Sequence, residues 1–146
     1  MMISRAAFIF VIFALISGCS STQSTASGDG DKAAPRVFLI TTEQAERILA
    51  TAMTAQFSGT PISRVEFPNK GYQATVRFLL DSHTFVAYMI AAKGRSSDGT
   101  VQPGFAFEVS NSGTMPLSGS SRAGDLFQRL VRDASALSPA VPLVSF

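Results

Sequence analysis

Apolar residues are spread unevenly along this chain, and that unevenness limits which part of it can fold. Ala6 to Ile16 (AAFIFVIFALI) is an unbroken apolar run of eleven residues, preceded by Met1 to Arg5 with one positive charge. The run falls short of the roughly 20 residues needed to cross a hydrocarbon core. It also lacks the polar positions that a core helix keeps toward water. Its size and flanks are those of the h-region of a secretory signal. Ser20 to Pro35 then holds no aromatic residue and no aliphatic one larger than Ala. Such a stretch cannot offset its ordering entropy by burial, so a flexible linker is expected, spanning roughly 20–25 Å on average. The expected organisation is a signal peptide over 1–18, a processed N-terminus and linker over 19–35, and one globular domain over 36–146.

The apolar run closes on Ile16-Ser17-Gly18-Cys19, and Cys19 is the only cysteine in the chain. This resembles the lipobox of bacterial lipoproteins, in which an aliphatic residue and two small residues precede the cysteine that becomes the mature N-terminus. The resemblance implies a diacylglyceryl thioether on Cys19, cleavage between Gly18 and Cys19, and acylation of the new amine, as with palmitate. The residue types suit the chemistry, because a small pair admits the peptidase and only a thiol forms the thioether. One acyl chain holds a protein to a bilayer only marginally, whereas two or three anchor it stably. Ser20 follows in place of the Asp that retains many such proteins in the inner membrane. The expected location is therefore the cell envelope, lipid-anchored to the outer membrane and facing the periplasm.

Composition excludes several classes of function. One Cys and one His among 146 residues cannot make an internal disulfide framework, nor a zinc site of several such ligands. The net charge is only +2 and the basic residues are scattered, which is no footprint for nucleic acid. No cofactor fingerprint appears.

Within 36–146 the apolar periodicity changes twice. Ala45, Ile48, Leu49, Ala52, Met53 and Phe57 make one helical stripe, with Thr41 or Thr42 to cap it and Gln44 placed for a capping box. Gly59 and Pro61 end it. Val37 to Ile40 reads as a short strand before it. Ile62 to Phe67 is a strand stopped by Pro68-Asn69-Lys70-Gly71. Tyr72 to Leu80 alternates cleanly, Asp81-Ser82-His83 reads as a loop, and Thr84 to Ala92 completes a hairpin. Both alternate sets of that last strand are apolar, so it is expected to be central and covered on both faces, or to line a groove. Lys93 to Gly104 reads as a loop, Phe105 to Val109 as a strand, and Ser110 to Ser121 as a second loop. A second helix carries the stripe Ala123, Leu126, Phe127, Leu130, Val131 and Ala134. Pro139 and Pro142 stop it, leaving a tail to dock through Leu143, Val144 and Phe146. The order (β)-α-β-β-β-β-α predicts a two-layer α+β sandwich, with an antiparallel sheet of about four strands and two helices on one face.

Candidate catalytic groups are sparse, and none is assigned a catalytic role. His83 stands beside Asp81 and Ser82, but sequence neighbours cannot adopt triad geometry, and a hairpin loop accounts for them. Of the carboxylates, Glu66 can pair with Arg64 on one strand, with Arg77 joining across strands. Ser110-Asn111-Ser112-Gly113 and Ser118-Gly119-Ser120-Ser121 read as connectors rather than an anion cradle. Arg64, Arg77, Lys93 and Arg95 can form one mildly positive sheet face. The most informative feature is the apolar excess of Tyr72, Phe78, Phe85, Tyr88, Met89, Phe105 and Phe107. What the core does not absorb would make a patch or cleft for a protein or lipid. The functional expectation is a non-enzymatic binding or accessory module for an envelope or secretion-type assembly. The alternatives are a carrier or chaperone for an apolar ligand, or a periplasmic inhibitor or immunity protein acting through a loop such as Lys93 to Gly104.

Overall fold

The first helix begins where its capping residues dictate. The computed structural model describes residues 36–78, 81–113 and 116–144; the apolar run, the Ile16–Cys19 motif, the linker and Phe146 lie outside the described residues. Helix α1 (Thr42–Gln56) has Thr41 as N-cap. The Gln44 N–H donates to the Thr41 hydroxyl at 3.2 Å, and the Thr41 N–H donates to Gln44 Oε1 at 2.9 Å. This capping box satisfies two of the donors that a helix start leaves open. Ala45, Ile48, Leu49, Ala52 and Met53 are its buried stripe. Past Phe57 the chain turns through Gly59 at φ +81°, a conformation glycine adopts without penalty. Thr41→Ala is expected to cost about 1 kcal/mol, seen as a lower urea midpoint with an unchanged denaturant slope.

The strands are β1 (Arg36–Phe38), β2 (Ile62–Val65), β3 (Gly71–Phe78), β4 (Asp81–Arg95), β5 (Val101–Gly113) and β6 (Ala140–Pro142), with helix α2 (Pro116–Ser135) between the last two. They form one six-stranded sheet in the order β2-β3-β4-β5-β1-β6, every neighbouring pair antiparallel. The fold is therefore α+β as expected, but the sheet has six strands rather than about four. The additional strands are β1, which the sequence hints at, and β6, whose three residues are too few to show a period. They pair with each other, Val37 opposite Val141, and β6 carries Pro142, a residue suited to a sheet edge.

Three stretches expected to be loops are regular structure. Residues 81–83 belong to β4, most of Lys93–Gly104 is strand, and Ser110–Gly113 ends β5. Ser118–Ser121 lies inside α2. Polar residues mark these segments because one side faces water, while the backbone ladder pairs regardless of side-chain polarity. The turn itself shrinks to residues 96–100. There the Ser96 N–H donates to the Thr100 carbonyl and the Gly99 N–H to the Ser96 carbonyl, both at 2.9 Å. Gly99 takes φ +86°. The Thr100 N–H and the Ser96 hydroxyl both donate to the Asp98 carboxylate, which holds that exposed carboxyl below its ordinary pKa.

The core lies between the helices and one face of the sheet. Phe85, Ala87 and Met89 of β4, Ala74 of β3, and Phe107 and Val109 of β5 pack with Leu49, Met53, Leu126 and Leu130 of the helices. Phe85 contacts Phe57 with ring centroids 4.7 Å apart, and Phe38 approaches Phe107 at 5.9 Å. The other alternate set of β4 (Val86, Tyr88 and Ile90) is half-buried, with Gln73, Ala106, Glu108 and Ser110 as its cross-strand neighbours. Thus β4 is central, as expected, but the helix layer covers only one of its faces. Neighbouring strand side chains partly shield the other.

A second, smaller apolar contact sits on the side of the sheet away from that core. Val37 is fully buried, yet it stands apart from the main core cluster. Its side chain and that of Val141 approach Gly94, and it also lies against Gly104. Beyond β6 the tail returns to β4. Leu143 bridges Gly94, and the Val144 N–H donates to the Lys93 carbonyl at 2.9 Å. Strands β4, β5, β1 and β6 thereby curl nearly closed at one end; the tail is held there by the backbone of Leu143 and Val144, while the Leu143 side chain is exposed.

Candidate functional site

The curled end of the sheet also holds the described concavity. Strand β1 meets β5 at the pair Phe38–Phe105. Continuing that register would set Ile40 opposite Pro103, which has no N–H to donate. The ladder stops there, and the chain leaves through Leu39 and Ile40 to begin α1 at Thr42. The gap left behind is an open crevice of about 570 Å³, lined by Leu39, Ile40, Thr41, Thr42, Ala91, Ala92, Gln102, Pro103, Gly104 and Phe105. Its walls are mainly apolar, and its polar groups are the start of α1 and the Gln102 amide. Such a surface suits an apolar group.

The apolar residues singled out in the sequence divide between core and surface. Phe85, Met89 and Phe107 are buried beneath the helices, and Tyr72 and Phe105 pack against the same core. Tyr88 stands half-buried on the opposite face, and the Phe78 side chain lies outside what is described. The core therefore absorbs most of the excess, and Phe105 also lines the crevice.

His83 is not a loop residue. It is 1% exposed within β4, with its ring 6.1 Å from Phe85. A Cβ placed on Gly113 or Gly119 would press on its ring, and one on Gly119 would also meet the Asn111 amide nitrogen. Two glycines thus let β5 and the start of α2 close over the imidazole, leaving no space for a substrate. Ser82 alternates to the other face of the strand, so Ser82 and His83 are not brought together. Buried Asn111, across the ladder from Phe85, has no acceptor for its Nδ2 among the described residues. The sequence reading placed Asn111 in a connector rather than in a buried strand position, because a strand mistaken for a loop hides which of its residues point inward.

The carboxylate cluster is a charge network on the outside of the sheet's β2 edge. Arg64 pairs with Glu66 at 3.4 Å, as expected, and with Glu46 of α1 at 3.4 Å. Lys70 reaches Glu46 at 4.0 Å. Arg77 does not join it: Arg64 is registered opposite Tyr72, and Arg77 alternates to the other face. For the same reason Arg64, Arg77, Lys93 and Arg95 do not form a single positive face. These exposed pairs contribute little to stability. Just beyond β2, Phe67 is 86% exposed, although the sequence places it inside a strand.

Among the described residues, no three of His, Cys, Asp and Glu gather as a metal site, and no helix is long and apolar enough to cross a membrane. Comparison of the chain with protein-family models, with curated proteins and with solved structures returned no match.

Proposed function

We propose that this protein is a lipid-anchored component of a bacterial cell envelope whose α+β domain serves as a non-enzymatic binding module for another envelope protein. The Ile16-Ser17-Gly18-Cys19 motif carries the reading, because the only thiol in the chain directly follows an apolar run of signal-peptide length. Ser20 after the cysteine favours the outer membrane. The disposition of reactive groups supports binding over catalysis. The imidazole of His83 is closed under Gly113 and Gly119, and Glu46 and Glu66 are engaged with Arg64. An open, apolar crevice and an uncovered sheet face remain as contact surfaces.

Cys19→Ala is expected to abolish incorporation of labelled palmitate and move the protein from the membrane to the soluble fraction. An unmodified thiol or an uncleaved leader, found by mass spectrometry of the native protein, would overturn the proposal.

A further inference from the structure

The tail stops part-way along a ladder that has room to continue. Leu143 bridges Gly94, and the Val144 N–H donates to the Lys93 carbonyl at 2.9 Å, so the tail runs antiparallel to β4, toward Ala91. Backbone groups along an antiparallel strand alternate between its two edges. The Met89 N–H donates to the Lys70 carbonyl on the edge of β4 away from β5, and the Lys93 carbonyl uses that same edge. The N–H and carbonyl of Ala91 therefore aim there too. Strand β3 ends its pairing at Tyr88, so among the described residues no strand meets Ala91 on this edge, and Ala91 is exposed.

The next two residues are Ser145 and Phe146. At about 3.3 Å per residue they reach from Lys93 back to Ala91. Continuing the register sets Ser145 opposite Ala92 and Phe146 opposite Ala91. Residues directly opposite in a ladder share a face, and on its other edge Ala91 is opposite Phe105. Phe146 would then stand on the face from which Met89 and Phe105 pack toward the core. Ala91 and Phe105 both line the crevice, and a side chain as small as that of Ala91 lets a neighbouring ring lean across it. The crevice volume of about 570 Å³ lies within the range of roughly 300–1,000 Å³ that holds small ligands, so one ring fits.

We propose that Ser145 and Phe146 extend this ladder along β4 and that the Phe146 ring seats in the crevice, as a strap that caps it. The ladder fixes the register, and the apolar walls stabilise the ring by burial. The N–H and carbonyl of Ala91 gain their partners in the backbone of Phe146. On the binding-module reading, an apolar group of a partner then enters the crevice only when the tail peels from β4. The strap itself forms within one copy of the chain and does not depend on lipidation of Cys19, which palmitate labelling reads separately.

The test places p-benzoylphenylalanine at position 146 of the full chain and irradiates it after detergent extraction. The expected product keeps the mass of one chain, with position 146 joined to a peptide containing Ala91 or Phe105. Hydrogen exchange at the Ala91 amide is expected to be slow in the wild type and to rise roughly tenfold in Phe146→Ala, with the Phe85 amide unchanged. The same variant should bind more of the apolar dye anilinonaphthalene sulfonate than the wild type does, because its crevice is uncapped. Cross-links to lipid, to a second copy or to a distant part of the chain would overturn the proposal. So would an Ala91 amide that exchanges equally fast in the two proteins, or equal dye binding.

Discussion

Phe85→Ala is expected to destabilise the domain by about 3–5 kcal/mol, a large part of the roughly 5–15 kcal/mol that holds a domain of this size together. Phe85 is 0% exposed at the middle of β4, the strand between β3 and β5. Its ring lies against Phe57, which follows α1, and its cross-strand neighbours are Ala74 and Asn111. Truncation removes a ring that packs from the sheet onto Phe57 at the end of α1, and the cross-strand neighbours Ala74 and Asn111 are too small to fill the void. Equilibrium urea denaturation followed by circular dichroism should show the midpoint falling accordingly. A loss below 1 kcal/mol would mean that the core collapses around the cavity, contrary to the packing described.

Gly104→Ala is expected to cost about 3 kcal/mol, the upper end for overpacking a filled site. An added Cβ would run into the Phe38 carbonyl oxygen and come within 2.9 Å of Val37 Cγ1. Backbone resists displacement more than the end of a flexible side chain does, so β1 would have to move away from β5. The Phe38–Phe105 pair and the burial of Val37 would go with it, and hydrogen exchange should rise in β1 and β6 more than in β3. Gly124→Ala is the contrasting control. Gly124 lies inside α2 with nothing within 4 Å of the added carbon, so the change should stabilise by about 0.5–1 kcal/mol.

The helices were the more legible part of this fold. In α1 both the buried stripe and the Thr41–Gln44 box stand where the side-chain pattern puts them, because a helix is specified by contacts three and four residues apart. Helix α2 was legible only from Ala123 onward. Its first turns are rich in Ser and Gly, weak helix formers, and they are helical where Gly119 packs on Asn111 and His83. The long β4–β5 hairpin was cut short for a related reason. Polar residues at both of its ends break the alternation, yet thirteen consecutive cross-strand pairs continue from His83–Gly113 to Arg95–Val101.

The candidate site was less legible still. Gly104 and Pro103 look like loop punctuation in one dimension. Only the placement of β1 beside them turns the missing N–H of Pro103 and the missing side chain of Gly104 into a crevice and a close strand contact. His83 likewise reads as a loop residue until two distant glycines are brought over it.

Local order along the chain was enough to set the α+β class, the position of α1, and the motif at Cys19 that carries the anchoring proposal. Each of these depends on neighbours within a few residues. The six-strand order, the return of the tail to β4, the crevice and the exposure of Phe67 depend on pairings between segments far apart in the chain. Those pairings are chosen by which apolar faces can be buried together, and that choice is made by the assembled core rather than by any one segment.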